Sequence, residues 1–521
     1  MTTLIESRAT TLAALLRAPA ARSPQHPAVV GAGRACTHGE LAERSDRLAA
    51  GLVALGLQPG DRVAYLGHNA TEYWELFAGT QKAGLVVVPL NFRLAADEVA
   101  WILADAEVSA VLVEAELAPL LPADLAVPAL VFDGPAGDRT GYEAWLAEQP
   151  ATDPHRDRDG DALAALMYSS GTTGRPKGVQ ITVAGLLAAV DAFGALIDVD
   201  ADSVSLVPTP YYHIAAGGWS LITLAAGGTL VQFREPTPAA MLEAITAHRA
   251  THAAMVPVII GILCADPAAA RADFSSLRHV VYGASPISET LMRRAQELFG
   301  AQLSQSYGLT ETLGVTTLLP PADHVPDPAT VHRLRSAGRA VPGVEVGVVD
   351  VAGVPLQAGE VGEVVVRGPV VTTGYWRNPA ATAEAFLPGG WLRTGDVGEL
   401  DADGYLYLRD RIKDVIVSGG ENVYPAEVEN ALAAHPGVAE VAVVGEPSDR
   451  WGESPVAFVV AVPGAQLDPD DLLAGCRERL AHYKCPRRVE VVGALPRNPS
   501  GKVLRRELRA PLWAGHDRGI A

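Results

Sequence analysis

From about residue 60, short apolar runs alternate with helical stretches. Arg62-Val63-Ala64-Tyr65-Leu66 reads as a strand, Thr71 to Ala83 as a helix, and Leu85 to Pro89 as a second strand. The alternation returns over 204–207, 214–226, 229–233 and 237–249, then over 279–282 and a helix at 288–299. Continuous apolar strands set between helices predict parallel sheets covered on both faces. Two such sheet regions are expected, divided by the polar stretch 133–161. After about residue 336 the pattern turns to strands and turns, such as Glu345 to Asp350 and Gly362 to Arg367, which predicts a small antiparallel, barrel-like β region. A further unit begins near 410. Its first helix opens on Pro425 with Glu427 and Glu429 behind it, where a fixed φ and negative charge suit a helix start. Strands over 438–444 and 455–462, a helix over 468–482 and a strand over 488–493 complete a small α+β domain. The fold class is α/β, with a large domain over 1–410 and a small one over 411–521.

The chain has 521 residues, too many for one core, and 49% of them are apolar. A net charge of −19 argues against nucleic acid and against docking on anionic membranes. Cys36, Cys264, Cys476 and Cys485 have no metal-ligand spacing and read as free thiols of a reducing compartment. With no apolar signal core near the N-terminus, a cytoplasmic protein is expected. Ser203 to Phe233 holds no charged residue and is long enough to span a bilayer. It also holds Pro208, Pro210, His213 and two Gly-Gly pairs, so a strand, a loop and a buried helix are expected, with no transmembrane segment.

Thirty-six arginines stand against five lysines: Lys82, Lys177, Lys413, Lys484 and Lys502. A lysine retained in such a chain points to a place where a compact ammonium is needed and a planar guanidinium will not serve. Lys177 closes Ser169-Ser170-Gly171-Thr172-Thr173-Gly174-Arg175-Pro176-Lys177, between a strand-like run and a helix-like one. Small residues there let backbone N–H groups approach a polyphosphate, and the lysine adds charge. The spacing is not that of a Walker A loop.

That string resembles the signature of the adenylate-forming superfamily, above all bacterial fatty-acyl-CoA ligases. Other motifs follow in family order: Pro210-Tyr211-Tyr212-His213, Tyr282-Gly283-Ala284-Ser285-Pro286, Tyr307-Gly308-Leu309-Thr310-Glu311, Gly374-Tyr375-Trp376, Thr394-Gly395-Asp396, Arg411-Ile412-Lys413-Asp414, Ser418-Gly419-Gly420-Glu421-Asn422, and Asn498-Pro499-Ser500-Gly501-Lys502. The resemblance implies an acid-thiol ligase that binds ATP, Mg²⁺ and coenzyme A. It makes 1–410 the ATP- and acid-binding domain and 411–521 a mobile lid hinged near 411–414. Lys502 would meet the reacting carboxylate and α-phosphate. Lys177 and Ser169 to Gly174 would hold the departing pyrophosphate. Thr310 would bond the α-phosphate and Glu311 would ligate Mg²⁺. Tyr307, with Gly308 beside it, would pack on adenine against the turn Gly283-Ala284-Ser285. Asp396 and Arg411 would bond the ribose. His213 would serve the reaction from the aromatic-His motif, and Gly419 and Gly420 would line the pantetheine channel. Lys413 would mark the hinge, Lys484 could meet a CoA phosphate, and Lys82 reads as an ordinary helix end.

The substrate reading rests on Ile214-Ala215-Ala216-Gly217-Gly218-Trp219. No acid lies between His213 and Glu235 to pair an amino group, and no cation precedes Arg234 to pair a second carboxylate. An apolar pocket for a medium- or long-chain fatty acid is expected. Trp219 could instead cap a shorter pocket suited to an aryl acid, and loading of a carrier protein is the alternative to CoA. Small-molecule partners are expected, and a homodimer is left open. One departure is local: Thr182-Val183-Ala184-Gly185 stands where many relatives have a more polar helix start, so a polar cap should be missing.

Overall fold

The computed structural model describes residues 9–169, 176–285, 287–324, 330–418, 421–448, 450–497 and 503–514. Ser170, Gly171, Thr172, Thr173, Gly174, Gly419, Gly420 and Lys502 lie outside the described residues. Two compact units are present, Met1–Val346 with Val366–Leu392, and Gly347–Val365 with Arg393–Ala521. The second compact unit thus begins ahead of the expected boundary at 410. Residues before Arg411 pair with it strand to strand, Asp396 opposite Arg411 and Leu400 opposite Leu406. A cut at 410 would split that antiparallel pair.

Among the described residues the first unit holds two sheets, of seven and nine strands. The seven run in the order Thr140–Gly141, Ala129–Phe132, Val108–Glu114, Arg62–Leu66, Val86–Pro89, Leu163–Ser169, Lys177–Thr182. All are parallel except the last pair. The nine run Arg339–Ala340, Thr317–Leu319, Gln302–Tyr307, His279–Gly283, His252–Met255, Val204–Val207, Thr229–Gln232, Pro27–Gly31, Cys36–Thr37. This sheet is parallel in its middle and antiparallel at both ends. Val86–Pro89 is buried at every position, as a strand covered on both faces must be.

The division between the sheets does not fall at 133–161. Leu163–Ser169 follows that polar stretch and returns to the first sheet, with Ala165 beside Val87. The changeover comes after Thr182, and the early strand Pro27–Gly31 inserts into the second sheet beside Thr229–Gln232. The strand Lys177–Thr182 is also new relative to the sequence pattern, which ran the phosphate loop directly into a helix. That helix, Val183–Ile197, is capped after all: the Thr182 hydroxyl accepts a hydrogen bond from Gly185 N at 3.0 Å. The charge-free stretch 203–233 forms a strand, the helix Ile214–Ala226 and a second strand. Among the described residues no helix is long and apolar enough to cross a membrane.

In the second unit the strand pairs Val438–Ser448 with Gly452–Ala461 are antiparallel, and Arg488–Val491 joins the latter in parallel. Helices Pro425–Ala433 and Pro469–Arg477 both open on proline followed by acids, Glu427 in one and Asp470 and Asp471 in the other. Val428, Leu432, Val443, Leu472 and Cys476 pack between helices and sheet. All four cysteines are free.

Candidate active site

Ser169 ends its strand directly opposite Lys177, which begins the next. The segment read as a phosphate loop therefore connects two antiparallel strands. The free edge of Lys177–Thr182 is bound by residues 374–376: Trp376 N donates to Gly178 O at 2.7 Å, and Gln180 N to Gly374 O at 3.0 Å. This stitching brings the Tyr375 ring under Lys177, whose Nζ stands 4.9 Å from the ring centroid. The Tyr375 hydroxyl donates to Glu311 Oε1 at 3.0 Å. Burial first, and the Glu311 carboxylate second, push the Tyr375 phenol well above its ordinary range, so it stays a donor. Three motifs distant in sequence thus meet through one tyrosine. Tyr375 was visible only as part of a motif, and nothing in the sequence marked its hydroxyl as the link.

The turn after His279–Gly283 lies beside the end of Gln302–Tyr307, because Gly283 is paired with Ser306. A Cβ at Gly283 would stand 2.3 Å from Ser306 O, so glycine is required for this approach. Ala284 follows in the left-handed region at φ 66, with Ser285 after it. Tyr307 is half-buried on the neighbouring strand. Gly308 passes so close to the backbone of Gly314 that a Cβ would lie 2.3 Å from it. That crossing folds Thr310–Thr312 into a short 3₁₀ turn, and Thr312 Oγ1 accepts from Leu309 N at 2.8 Å. Thr310 and Glu311 are carried on this turn, and Glu311 O accepts from Thr372 N at 2.8 Å.

His213 caps the helix Ile214–Ala226 from an extended backbone, and its carbonyl accepts from Gly217 N at 2.9 Å. Its ring lies 4.4 Å from that of Tyr212. Ala215 is exposed, and a Cβ on Gly218 would meet nothing within 4 Å, so this face of the helix borders open space. Trp219 is 4% exposed, its ring 6.5 Å from that of His252. Burial pushes the His252 imidazole down to about 4, so it is neutral there at physiological pH.

In the second unit Asp396 and Arg411 face each other across the strand pair, Arg411 Nε 3.0 Å from Asp396 Oδ1. Next to Arg411, the Asp410 carboxylate accepts from Arg411 N at 2.8 Å and Ala426 N at 2.9 Å. Burial still pushes it up to about 6, against the pull of Arg505. Arg505 bonds both oxygens of Glu429, at 2.8 and 2.9 Å, and lies 3.6 Å from Asp414 and 3.9 Å from Asp410. Arg497 and Val503 form an antiparallel bridge. Lys413 falls in the turn Ile412–Asp414. Lys484 is held by Glu427 at 2.7 and 2.8 Å.

Lys82 is not an ordinary helix end. It is 2% exposed, and its ammonium donates to Asp46 at 2.6 Å, Ser45 at 2.8 Å and Ala42 O at 3.0 Å. It joins the helices His38–Ala54 and Thr71–Ala83.

Residues 16–376 match the AMP-binding enzyme family, and residues 427–502 match the AMP-binding enzyme C-terminal domain. The chain therefore belongs to the AMP-binding enzymes, which activate acids with ATP. Within them it falls among the acyl-CoA synthetases of the adenylate-forming superfamily. It is 41% identical to a fatty acid–[acyl-carrier-protein] ligase of Streptomyces coeruleorubidus, with 96% of each chain covered. It is also 41% identical to a feruloyl-CoA synthase of an Amycolatopsis species, over 94% of this chain and 96% of that one. Among solved structures, a Mycobacterium tuberculosis fatty acyl CoA synthetase shares 35% identity at a TM-score of 0.76, covering 98% of this chain and 99% of the other.

Proposed function

We propose that this enzyme converts a medium- or long-chain fatty acid to its CoA thioester through an acyl-adenylate. The observation that carries the reading is the junction of Lys177, Tyr375 and Glu311, which gathers a cation and an oxygen donor at the base of the phosphate loop. In the first half-reaction a carboxylate oxygen attacks the α-phosphorus of ATP, and the bond to the β-phosphate oxygen breaks as pyrophosphate leaves. Charge grows on the α-phosphoryl oxygens, so positioning and electrostatics supply most of the acceleration. Lys502 neutralises that charge, Thr310 donates to the α-phosphate, and Lys177 with Ser169 to Gly174 retains the pyrophosphate. Tyr307 and the turn Gly283-Ala284 hold adenine between them. Asp396 accepts from the ribose hydroxyls, and Arg411, 3.0 Å from it, keeps that carboxylate aimed.

Glu311 fits Mg²⁺: its carboxylate is a hard donor oriented by a neutral hydroxyl. When bound, the ion supplies countercharge to the phosphates. In the second half-reaction the CoA thiol attacks the acyl carbonyl and AMP leaves. The lid turns about Lys413 for this step, and Gly419 and Gly420 admit the pantetheine arm.

Two other readings have specific support. Open space beside Gly218 suits an extended acid, whereas the feruloyl-CoA relative supports an aryl one. The carrier-protein relative supports a protein thiol as acceptor. The test is AMP release from straight-chain, branched and aromatic acids, with CoA or a phosphopantetheinylated carrier protein. Fastest release with aliphatic acids and CoA is expected. Preference for aryl acids, or for the carrier, replaces the substrate or the acceptor, and no AMP from any acid refutes the activity.

A further inference from the structure

The carboxyl ends of parallel strands are where α/β sheets bind ligands. At that end of the first unit, the two sheets are tied by a charged clasp. Glu114, at the end of Val108–Glu114, is 1% exposed. Its Oε2 accepts from both the backbone N and the ring Nδ1 of His68, each at 2.8 Å. Arg234, two residues beyond strand Thr229–Gln232 of the other sheet, pairs with the same carboxylate and with Glu116 at 2.6 Å. His68, Glu114 and Glu116 stand close enough to hold a metal ion, but the guanidinium already supplies the cation.

The clasp itself needs only Glu114 and Arg234. The imidazole adds a second line of contacts. Its ring lies 4.1 Å from Phe92, Phe92 meets Tyr212 edge-on at 5.5 Å, and Tyr212 lies 4.4 Å from His213. With its Nδ1 and its own backbone fixed to one buried carboxylate, the His68 ring has a single orientation to pass on.

We propose that His68 is a positioning residue for the acid: through Phe92 and Tyr212 it sets the His213 end of the helix Ile214–Ala226. The inference rests on the acid-activation reading above. His68 touches no reacting atom, and its effect is on where the acid is received.

The test uses the full-length enzyme and steady-state AMP release, with acid and ATP varied separately and thermal unfolding recorded for each variant. His68→Ala raises KM for the acid about tenfold and leaves KM for ATP within about twofold, one aromatic contact being worth that much. Phe92→Leu does the same, and the double variant is no worse than either, because both break one line of contacts. His68→Phe keeps a ring against Phe92 and recovers most of the lost acid affinity. An unchanged acid KM in His68→Ala, an equal rise in both KM values, or additive losses in the double variant overturns the proposal. A wild-type enzyme that forms no AMP from any acid overturns the acid-activation reading and this one with it.

Discussion

Asp410→Asn tests the buried carboxylate cluster beside Arg411. Burial raises the Asp410 carboxyl from 3.8 to about 6, even with Arg505 nearby and two N–H donors on its oxygens. A raised carboxyl binds its proton more tightly in the folded chain than in the unfolded one. Stability therefore falls as pH rises from about 4 through about 6, and the loss is complete above that. The full shift corresponds to about 3 kcal/mol, and between pH 4.5 and 8 about 2 kcal/mol of it develops. Asparagine cannot ionise, so the variant escapes that loss. Urea denaturation of wild type and Asp410→Asn at both pH values gives the comparison. The variant's stability relative to wild type should improve by about 2 kcal/mol on going from pH 4.5 to 8. Whatever the lost N–H bond costs is the same at both and cancels. Arg505→Ala should steepen the wild-type dependence, since the cation that opposes the shift is gone. A difference between wild type and Asp410→Asn that does not change with pH refutes the reasoning.

Lys82→Met should lower unfolding free energy by about 3 kcal/mol, the low end for a broken buried pair because Asp46 keeps 23% exposure. A double-mutant cycle with Asp46→Asn checks that the loss is shared. Tyr375→Phe removes a hydrogen bond to a charged group, and kcat/KM for ATP should fall about tenfold or more with thermal stability little changed. Lys502→Ala should abolish adenylate formation yet spare thioester formation from supplied acyl-adenylate; equal loss of both half-reactions would sink the division of roles.

Much of the fold was legible because its strands are apolar on both faces, as at Val86–Pro89, and no other arrangement buries them. Strand order was less so. Nothing in 27–31 says that it will insert beside residues 229–232, since pairing partners are chosen by the whole sheet. Lys177–Thr182 was missed because Gly178, Gln180 and Thr182 interrupt its apolar pattern, and its second edge is filled by residues almost two hundred positions away. Scarcity of lysine singled out Lys82 together with Lys177, and composition alone cannot mark Lys82 as the buried partner of Asp46. Motif order singled out Glu311, Thr310, Asp396 and Arg411 as candidates. It did not foresee that Asp396 and Arg411 would bond each other, or that Arg505, three residues past Lys502, would gather Glu429, Asp414 and Asp410.

The strand Lys177–Thr182 has both edges in use, one against Leu163–Ser169 and the other against residues 374–376. A strand bonded on one side only can slip by two residues and keep its faces; one bonded on both must break two ladders to move. Lys177 is in that sense a fixed post. Deletion of one residue between 178 and 182 would turn the side chains on one side of the gap to the opposite face of the sheet. The position of Lys177 is therefore held by two ladders at once, and length changes within its strand disturb both.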